Sequence, residues 1–205
     1  LYIAGQFDSV GGAPRRNVAA VHLTDAKPTA FHAPPPEPNR WSAYLLVVSD
    51  RSLFVDLSDT GVVALDAVSG KRRRWRLQTP EVDALVSYRD TLIGAYQRAS
   101  KFGSGTPVVV EYQTATGRAL RTIASSRDGD EINTLQVHAS RLYVGGVFSH
   151  LNKTARQSLA TFDLGSSRLL PWHPDGAREG FGVTTSIAAT ATDVAVGVGS
   201  CRPTC

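Results

Sequence analysis

The chain has 205 residues, of which 42% are hydrophobic and 20% charged, so it can bury a substantial core and is not a disordered tail. Its net charge of +4 is mild and falls short of the concentrated basic face typical of nucleic-acid-binding proteins. No run of eighteen apolar residues is present, which excludes a transmembrane helix, and the apolar segment 43–48 is only as long as a strand.

The first strand-like segment begins at Leu1, and its whole neighbourhood is repeated further along the chain. Residues 1–34 align without a gap on a second copy that starts at Leu142, 141 positions later. The matching pairs are Tyr2 with Tyr143, Gly5 with Gly146, Phe7 with Phe148, Arg15 with Arg156, Ala19 with Ala160, Leu23 with Leu164, Phe31 with Trp172 and His32 with His173. A chain that starts inside such a segment, and that contains no Met, is expected to be cut from a longer protein whose leader is lost.

The same frame recurs in weaker form from Leu53, Leu92 and Val194, at intervals of 52, 39, 50 and 52 residues. The predicted repeat units are 1–52, 53–91, 92–141, 142–193 and the start of another at 194–205.

Each complete unit has a second apolar segment that ends in Asp or a polar substitute, as at Asp66, Gln113 and Asp163. A large aromatic residue stands nine positions further on in three units, and the third unit has Thr122 there instead; the three aromatic residues are Phe31, Trp75 and Trp172. Since the position recurs, we expect these aromatic rings to pack between neighbouring sheets rather than to stack on a cofactor. The glycines of the LYVGG segment are expected to admit a close neighbour, with the aromatic residue as its partner.

Repeats of 40 to 50 residues made of short alternating segments, without helical periodicity, are typical of β-propeller blades. We therefore predict an all-β fold of four-stranded antiparallel blades, with Gly70 and Gly117 at positive φ in tight turns. Four units and the beginning of a fifth indicate an arc of a larger ring of six to eight blades, forming a single partial propeller over 1–205.

The pattern LYxGGxF, a following Arg, LAxxD and PWxP resembles the bacterial β-propeller repeat of unknown function that is related to the delta-60 repeat. The likeness is close in the first and fourth units and looser in the second and third; His173 and Phe31 depart from the Asn and Trp of the family, and Thr122 breaks the pattern. The resemblance implies a seven-bladed or similar propeller in a secreted or cell-surface protein, and it implies no catalytic residues.

Two other propeller repeats are similar to parts of the chain. The segment 60–75, TGVVALDAVSGKRRRW, resembles the quinoprotein (pyrroloquinoline quinone) repeat, although there the interval from Asp to Trp is one residue shorter. The Gly-Gly pair at Gly145 resembles kelch blades, whose aromatic pair lies closer.

The basic run Lys71 to Arg76, KRRRWR, could bind phosphates while Trp75 stacks on a base. We favour an outer edge strand, with Arg72, Arg74 and Arg76 on one face and with Arg73, Trp75 and Leu77 on the other, because no second basic cluster extends the track. No nucleic-acid partner is expected.

The acidic segment 127–133, RDGDEIN, could supply oxygen ligands to calcium, but a solvated loop between blades is the favoured interpretation because the pattern of an EF-hand is missing. No other cofactor or metal site is predicted. The five histidines (His22, His32, His138, His150 and His173) lack metal-ligand spacing, and Ser149 beside His150 is interpreted as a neighbour pair without catalytic geometry. No catalytic residue can be chosen.

Cys201 and Cys205 either form a local disulfide, which would indicate an oxidising compartment, or remain free thiols. The Pro-rich stretch 33–40, APPPEPNR, followed by Trp41, is either a binding rim or a rigid connector between strands.

Taken together, these patterns predict a monomeric, extracellular or cell-surface binding scaffold that contacts protein or carbohydrate at a loop-bearing rim and is not an enzyme. The alternative is a fragment of a propeller enzyme, either a quinoprotein-type dehydrogenase or a glycoside-active enzyme.

Overall fold

Short antiparallel strands account for all of the regular structure in the computed structural model, which describes residues 1–34, 43–57, 61–77, 79, 82–99, 105–172 and 182–199. Within these ranges no helix is found that could cross a membrane. The chain divides into two units, the first formed by Leu1–Val82 and Gln113–Arg118, and the second by Asp83–Tyr112 and Ala119–Cys205.

A four-stranded antiparallel sheet dominates the first unit. Its strands lie in chain order as β5 (Ala43–Ser49), β6 (Ser52–Leu57), β7 (Gly61–Asp66) and β8 (Arg72–Arg76). The central strands β6 and β7 are almost continuously apolar and are buried on both faces, whereas β8 is polar and exposed along most of its length. This contrast between central and edge strands follows from sequence composition alone.

The first copy of the long repeat precedes this sheet. Strand β1 (Tyr2–Ala4) pairs with β4 (Val18–Ala20), and between them lies a small hairpin of β2 (Ser9–Val10) and β3 (Ala13–Pro14).

The second unit contains two further four-stranded antiparallel sheets, one small hairpin and one two-stranded sheet. The first sheet comprises β9 (Ala84–Tyr88), β10 (Thr91–Arg98), β11 (Thr106–Gln113) and β12 (Ala119–Ser125). The second comprises β13 (Glu131–His138), β14 (Arg141–Val147), β17 (Leu159–Asp163) and β18 (Arg168–Leu169), with the hairpin of β15 (His150–Leu151) and β16 (Thr154–Ala155) inserted. The last two strands, β19 (Val183–Ala189) and β20 (Val194–Gly199), form a two-stranded sheet.

Each four-stranded sheet takes its first strand from the segment that precedes the sequence frame. For example, β13 pairs with β14, although LYVGG, the start of the frame, lies in β14. The frame therefore begins on the second strand of a sheet, so one frame supplies three strands to one sheet and the first strand to the next.

The two gap-free copies fold in the same way. The backbone N–H of Asn17 donates to the carbonyl of Phe7 at 3.0 Å, and that of Ser158 donates to Phe148 at 2.9 Å. The left-handed φ of Asn17 (62°) is matched by that of Ser158 (57°). Gly11 and Gly12 in the first small hairpin correspond to Asn152 and Lys153 in the second, all with positive φ, which is the geometry of a type I′ turn.

The predicted turn glycines are confirmed. Gly70 and Gly117 have φ of 77° and 70°, each four residues after the polar residue that ends the preceding strand. Ala26 and Ser167 take up the same left-handed conformation at the equivalent positions of the other units.

The apolar core is formed by the strand faces between sheets. In the first unit Phe31 packs in a cluster with Val18, Leu53, Val63 and Leu65. In the second unit a larger cluster joins the two four-stranded sheets, with fully buried side chains such as Ile93, Ile132, Leu142 and Phe162.

Candidate functional site

Three aromatic pairs occupy equivalent places in three repeats. Ring centroids are 5.5 Å apart in Tyr2–Phe31, 4.8 Å in Phe54–Trp75 and 5.7 Å in Tyr143–Trp172. The first member follows the leucine that opens the frame, and the second is the aromatic residue predicted to dock between sheets. Aromatic edge contacts of this kind stabilise a fold by about 0.5 to 1.5 kcal/mol beyond the area that they bury.

The predicted docking role of these residues is confirmed. Phe31 is 1% exposed and packs against Leu53 and Leu65 of the next sheet, while Trp172 packs in a cluster with Ile187 of β19. Phe31 and Trp172 therefore pack between sheets.

Trp75 is half-buried against Phe54 and the turn at Gly117, whose ideal Cβ position lies 3.3 Å from Cε2 of the indole. Because Phe54 and this turn pack against the indole, the ring is poorly placed to stack on a nucleic-acid base. The indole Nε1 is buried and has no hydrogen-bond partner among the described residues.

The third repeat has no aromatic pair, and an ion pair lies next to the second aromatic position. Ile93 and Thr122 stand at the two aromatic positions, and next to Thr122 the Arg121 guanidinium binds the Glu111 carboxylate at 2.5 Å. Arg121 also donates to the Leu164 carbonyl at 2.7 Å, and Thr91 donates its hydroxyl to Glu111 at 3.0 Å. This charged network was not predicted from the sequence, where only the missing aromatic residue was visible.

The close approach expected at the LYVGG glycines is present, but the expected aromatic partner is wrong. A Cβ on Gly145 would lie 2.5 Å from Cγ2 of Thr184 and 2.8 Å from Cγ2 of Thr134. Trp172 instead contacts Tyr143, two residues before Gly145 on the same face of β14, while Gly145 is approached by Thr134 of the paired strand β13 and by Thr184 of β19 in the neighbouring sheet.

An arginine in each gap-free copy holds its own repeat together. Arg15 donates to the carbonyls of Pro14 and Thr29 at 2.8 and 3.0 Å, and Arg156 donates to those of Ala155 and Leu170 at 2.8 and 2.9 Å. The alignment of Arg15 with Arg156 was the sequence signal, and the role of both side chains is structural.

The described surface of the first unit has a groove of about 870 Å³ along β8. It is lined by Arg72, Arg73, Arg74, Trp75, Arg76 and Thr116. Opposite Ala64 the pairing between β7 and β8 shifts register, since Val63 pairs with Arg76 while Leu65 pairs with Arg72. Such a bulge increases strand twist and changes the direction of the side chains at the edge.

The arginines of the groove fall into two groups by their side-chain contacts. Arg73 binds the Asp66 carboxylate at 2.9 Å and also donates to the Arg51 carbonyl at 3.0 Å. Arg72, Arg74 and Arg76 are exposed and make no side-chain hydrogen bond or ion pair within the described part of the chain. They leave three guanidinium groups available to an anionic ligand.

The turn that precedes β8 is built on the carboxylate of Asp66. The pKa of Asp66 is held well below its usual range by the backbone N–H of Ser69, by the hydroxyl of the same residue and by the Arg73 guanidinium. In the fourth repeat the Ser166 hydroxyl and backbone N–H lower the pKa of Asp163 in the same way. The acidic residue that closes each second apolar segment is therefore a turn-forming residue.

Residues 127–130 of the acidic segment 127–133 connect β12 and β13, as predicted for a loop, whereas residues 131–133 are the first residues of β13. Asp130 accepts hydrogen bonds from the Ser126 hydroxyl at 2.5 Å and from the Arg127 backbone N–H at 3.3 Å. Among the described residues no group of three or more His, Cys, Asp or Glu side chains is placed to hold a metal ion.

Ser149 and His150, interpreted from the sequence as a neighbour pair without catalytic geometry, are in side-chain contact, since the Ser149 hydroxyl lies 3.0 Å from Nδ1 of His150. On the other side of the ring, Arg127 lies 3.2 Å from Nε2. Arginine is always a donor, so Nε2 must accept and Nδ1 must bear the proton. The imidazole then donates to Ser149 and is in the wrong tautomer to activate that hydroxyl as a nucleophile.

Several sequence predictions lie outside the described residues. These are the disulfide between Cys201 and Cys205, the histidine His173, and the segment 35–40 with Trp41.

The fold and these sites define a β-propeller type of repeat protein. The computationally designed protein Ika4 has a similar structure, with a TM-score of 0.54, 16% identity, and coverage of 76% of this chain and 84% of that one. The designed protein Ika8 matches with a TM-score of 0.55 and 14% identity, over 96% of this chain and 68% of that one. A chain in the crystal structure of the mitotic checkpoint complex matches with a TM-score of 0.60 and 10% identity, over 89% of this chain and 51% of that one.

No protein-family model matches the chain, and no curated sequence matches it either. At these identities the structural matches establish the fold alone, which agrees with the all-β, four-stranded architecture predicted from the repeat.

Proposed function

We propose that this chain is a non-catalytic binding domain of a secreted or surface-attached bacterial protein, and that it recognises anionic groups of a protein or glycan ligand. The supporting observation is the groove along β8, where Arg72, Arg74 and Arg76 present three exposed cations without partners in the described part of the chain. Guanidinium groups form bidentate hydrogen bonds with carboxylate, sulfate and phosphate, so such a groove is suited to an anionic ligand.

The bacterial secreted repeat family named above remains our proposal for the origin of the chain. It is supported by the shared structural use of the motif residues in both gap-free copies. The aromatic pairs pack between the sheets, and the equivalent arginines Arg15 and Arg156 bind backbone carbonyls. Residues that recur in every copy thus support the fold, and a ligand site is better sought where one repeat differs from the others.

The β8 segment is such a place, since the equivalent stretch of the fourth repeat, 169–173, contains no arginine. In the third repeat the arginine beside the aromatic position, Arg121, is bound to Glu111. The second repeat alone therefore has a cluster of unpaired cations at this position within the described residues.

Binding to a panel of anionic ligands tests the proposal. The purified chain would be titrated at physiological salt with a carboxylated polysaccharide, a sulfated polysaccharide, an acidic peptide and single-stranded DNA. The double variant Arg72→Glu/Arg74→Glu should lose binding, whereas the control Arg98→Glu/Arg141→Glu, with the same change of net charge on exposed positions of other strands, should retain it.

Equal losses in both variants would show that only net charge matters and would contradict a site at the groove. Binding of DNA alone would contradict a protein or glycan ligand.

A further inference from the structure

We infer that the β1–β4 sheet docks a further four-stranded blade of the same repeat type, on an apolar surface that the described residues leave uncovered. Tyr2 and Ala4 pack on the β5–β8 sheet, so strand alternation places Leu1 and Ile3 on the opposite face. The β1–β4 docking surface is formed by Leu1, Ile3, Phe7, Val10 and Leu23. It is separate from the groove along β8, and the inference does not depend on the proposed function.

The two gap-free copies differ in burial at this surface. Leu23 is 84% exposed, whereas its counterpart Leu164 is 2% exposed. Leu1 is 63% exposed, and its counterpart Leu142 is fully buried. The other three pairs are half-buried in the first copy and buried in the second: Ile3 with Val144, Phe7 with Phe148, and Val10 with Leu151. Because both copies have the same local fold, the difference comes from their surroundings.

In the second copy these positions are covered by the β9–β12 sheet. The five buried counterparts belong to one core cluster with Ile93, Val109, Ile123 and Ala124 of that sheet. Removal of apolar side chains from water is the main driving force for such packing. The β1–β4 docking surface therefore fits a sheet that presents an apolar face of the same kind.

A backbone carbonyl shows where the preceding sheet attaches. In the second repeat the Tyr2 hydroxyl, from the preceding sheet, donates to the Ala67 carbonyl at 2.5 Å. In the fourth repeat Arg121, also from the preceding sheet, donates to the Leu164 carbonyl at 2.7 Å. Leu23 holds the same place in the first repeat, and its carbonyl has no hydrogen-bond partner in the described part of the chain. The further blade is expected to supply a donor side chain at this point.

The backbone N–H of the same position indicates that a strand belongs beside β1. The N–H of Ala67 donates to the Arg51 carbonyl at 2.9 Å, and that of Leu164 donates to the Ser140 carbonyl at 2.8 Å. Arg51 and Ser140 lie in the turns that join the first and second strands of their sheets. Within the described residues β1 pairs only with β4, and the N–H of Leu23 has no such turn carbonyl. The further blade is therefore followed by a strand like β13, which completes the β1–β4 sheet.

A second copy of this chain is a poorer occupant than a further repeat. Every described first strand is already paired with the second strand of its own sheet, as β5 is with β6, β9 with β10, β13 with β14 and β19 with β20. A second copy would have to open one of these sheets to place a strand beside β1. A further repeat brings a first strand that has no other partner.

The test extends the full chain with a duplicate of its own third sheet. Residues 83–141 are placed directly before Leu1, in the order in which they precede Leu142. In a Cys201→Ser/Cys205→Ser background, Leu23→Cys should react with a thiol reagent about 10-fold more slowly in the extended chain than in the original one. The control Val68→Cys, at another exposed apolar position, should react at the same rate in both.

A shorter extension separates the added strand from the added sheet. Residues 131–141 alone supply a second β13 and its turn. Hydrogen exchange at the Leu23 amide should then slow by about 10-fold, because the turn carbonyl becomes available, while Leu23→Cys should still react quickly. Circular dichroism and a thermal melt compare the folding of both extended chains with that of the original chain.

Each other outcome contradicts the inference. Fast labelling of Leu23→Cys in the longer extended chain, or a duplicate that stays unfolded on it, means that the surface does not dock a blade. Equal slowing of Leu23→Cys and Val68→Cys means non-specific association. Slow labelling of Leu23→Cys in the original chain, together with a dimer in light scattering, means that a second copy covers the surface. None of these results changes the binding of anions at the β8 groove, so the proposed function is tested separately.

Discussion

Tyr143 and Trp172 meet edge to face, with ring centroids 5.7 Å apart and ring planes at 89°. Tyr2 and Phe31 repeat this relationship at 5.5 Å and 76°, although Phe takes the place of Trp. The repeat therefore preserves a contact geometry rather than a particular residue. An aromatic residue is needed nine positions after the end of the second apolar segment because its ring has two contacts to make. It packs against the second residue of its own frame and also against the adjacent sheet.

Replacement of the buried Phe31 ring should lower the denaturant concentration at which the first unit unfolds. Phe31→Ala removes a side chain that is 1% exposed and leaves a cavity among Val18, Leu53 and Leu65, so we expect a loss of about 3 to 5 kcal/mol in the free energy of unfolding. The control Leu23→Ala changes a side chain that is 84% exposed and should shift the free energy by less than about 0.5 kcal/mol. Urea denaturation of both variants measures the difference, and equal small shifts would show that Phe31 does not dock between sheets.

The fold class, the turn glycines and the docking aromatics were predictable because each has a local or periodic signal. The partners of these aromatics were not, since Tyr143 and Trp172 lie 29 residues apart and alternation alone does not say which pair of positions meets. The basic run was visible in the sequence. Arg73 differs from its neighbours by its ion pair with Asp66. This ion pair depends on a turn that brings into contact two residues seven positions apart in the sequence.

The turn at Gly117 should resist substitution more strongly than an open turn with similar backbone geometry. An Ala at 117 would place its Cβ 2.5 Å from the Arg76 carbonyl oxygen, at a φ of 70°. Gly129 has a φ of 84° and nothing within 4 Å of the same position, so Gly129→Ala incurs only the left-handed backbone strain, about 1 to 2 kcal/mol. In a denaturation experiment, Gly117→Ala should be clearly less stable than Gly129→Ala. Equal losses of stability would mean that the turn does not pack on β8.

The stability of the chain should fall in acid because of Asp66 and Asp163. The pKa of each carboxylate is lowered in the folded state, so the stabilisation is fully present above the unfolded pKa of about 4 and is lost as pH falls through the folded values. Asp66→Asn can still accept the hydrogen bonds of the Ser69 turn but cannot titrate. Its urea midpoint should therefore decrease less than that of the wild type between pH 6 and pH 2, and parallel curves would show that Asp66 contributes nothing to this dependence.

Removal of the Asn152 side chain should expose the edge of β12. Asn152→Gly keeps the left-handed turn, at φ 48°, and deletes the two side-chain hydrogen bonds to Ile123 and Ser125. We expect a loss of about 1 to 3 kcal/mol and an increase in self-association that light scattering can follow. Lys153→Gly, at the neighbouring position of the same turn, should leave both unchanged; if it acts like Asn152→Gly, the turn and not the amide protects the edge.

The ion pair of the third repeat should be asymmetric in its response to mutation. The Glu111 side chain is only 8% exposed, whereas that of Arg121 is 38% exposed and has a second partner in the Leu164 carbonyl. Arg121→Ala leaves a buried carboxylate whose remaining partner, among the residues that the structure describes, is the Thr91 hydroxyl, so we expect a loss of about 2 to 3 kcal/mol.

Glu111→Leu, by contrast, fills the same volume with an apolar side chain and leaves a cation that water can reach, so the loss should be smaller. In the Glu111→Leu background, Arg121→Ala should then cost little, because no buried charge remains to be compensated. A double-mutant cycle by urea denaturation measures this coupling, with Arg118→Ala in the exposed turn of the same hairpin as the control. Equal losses for Arg121→Ala in both backgrounds would mean that Arg121 acts through the Leu164 carbonyl and not through Glu111.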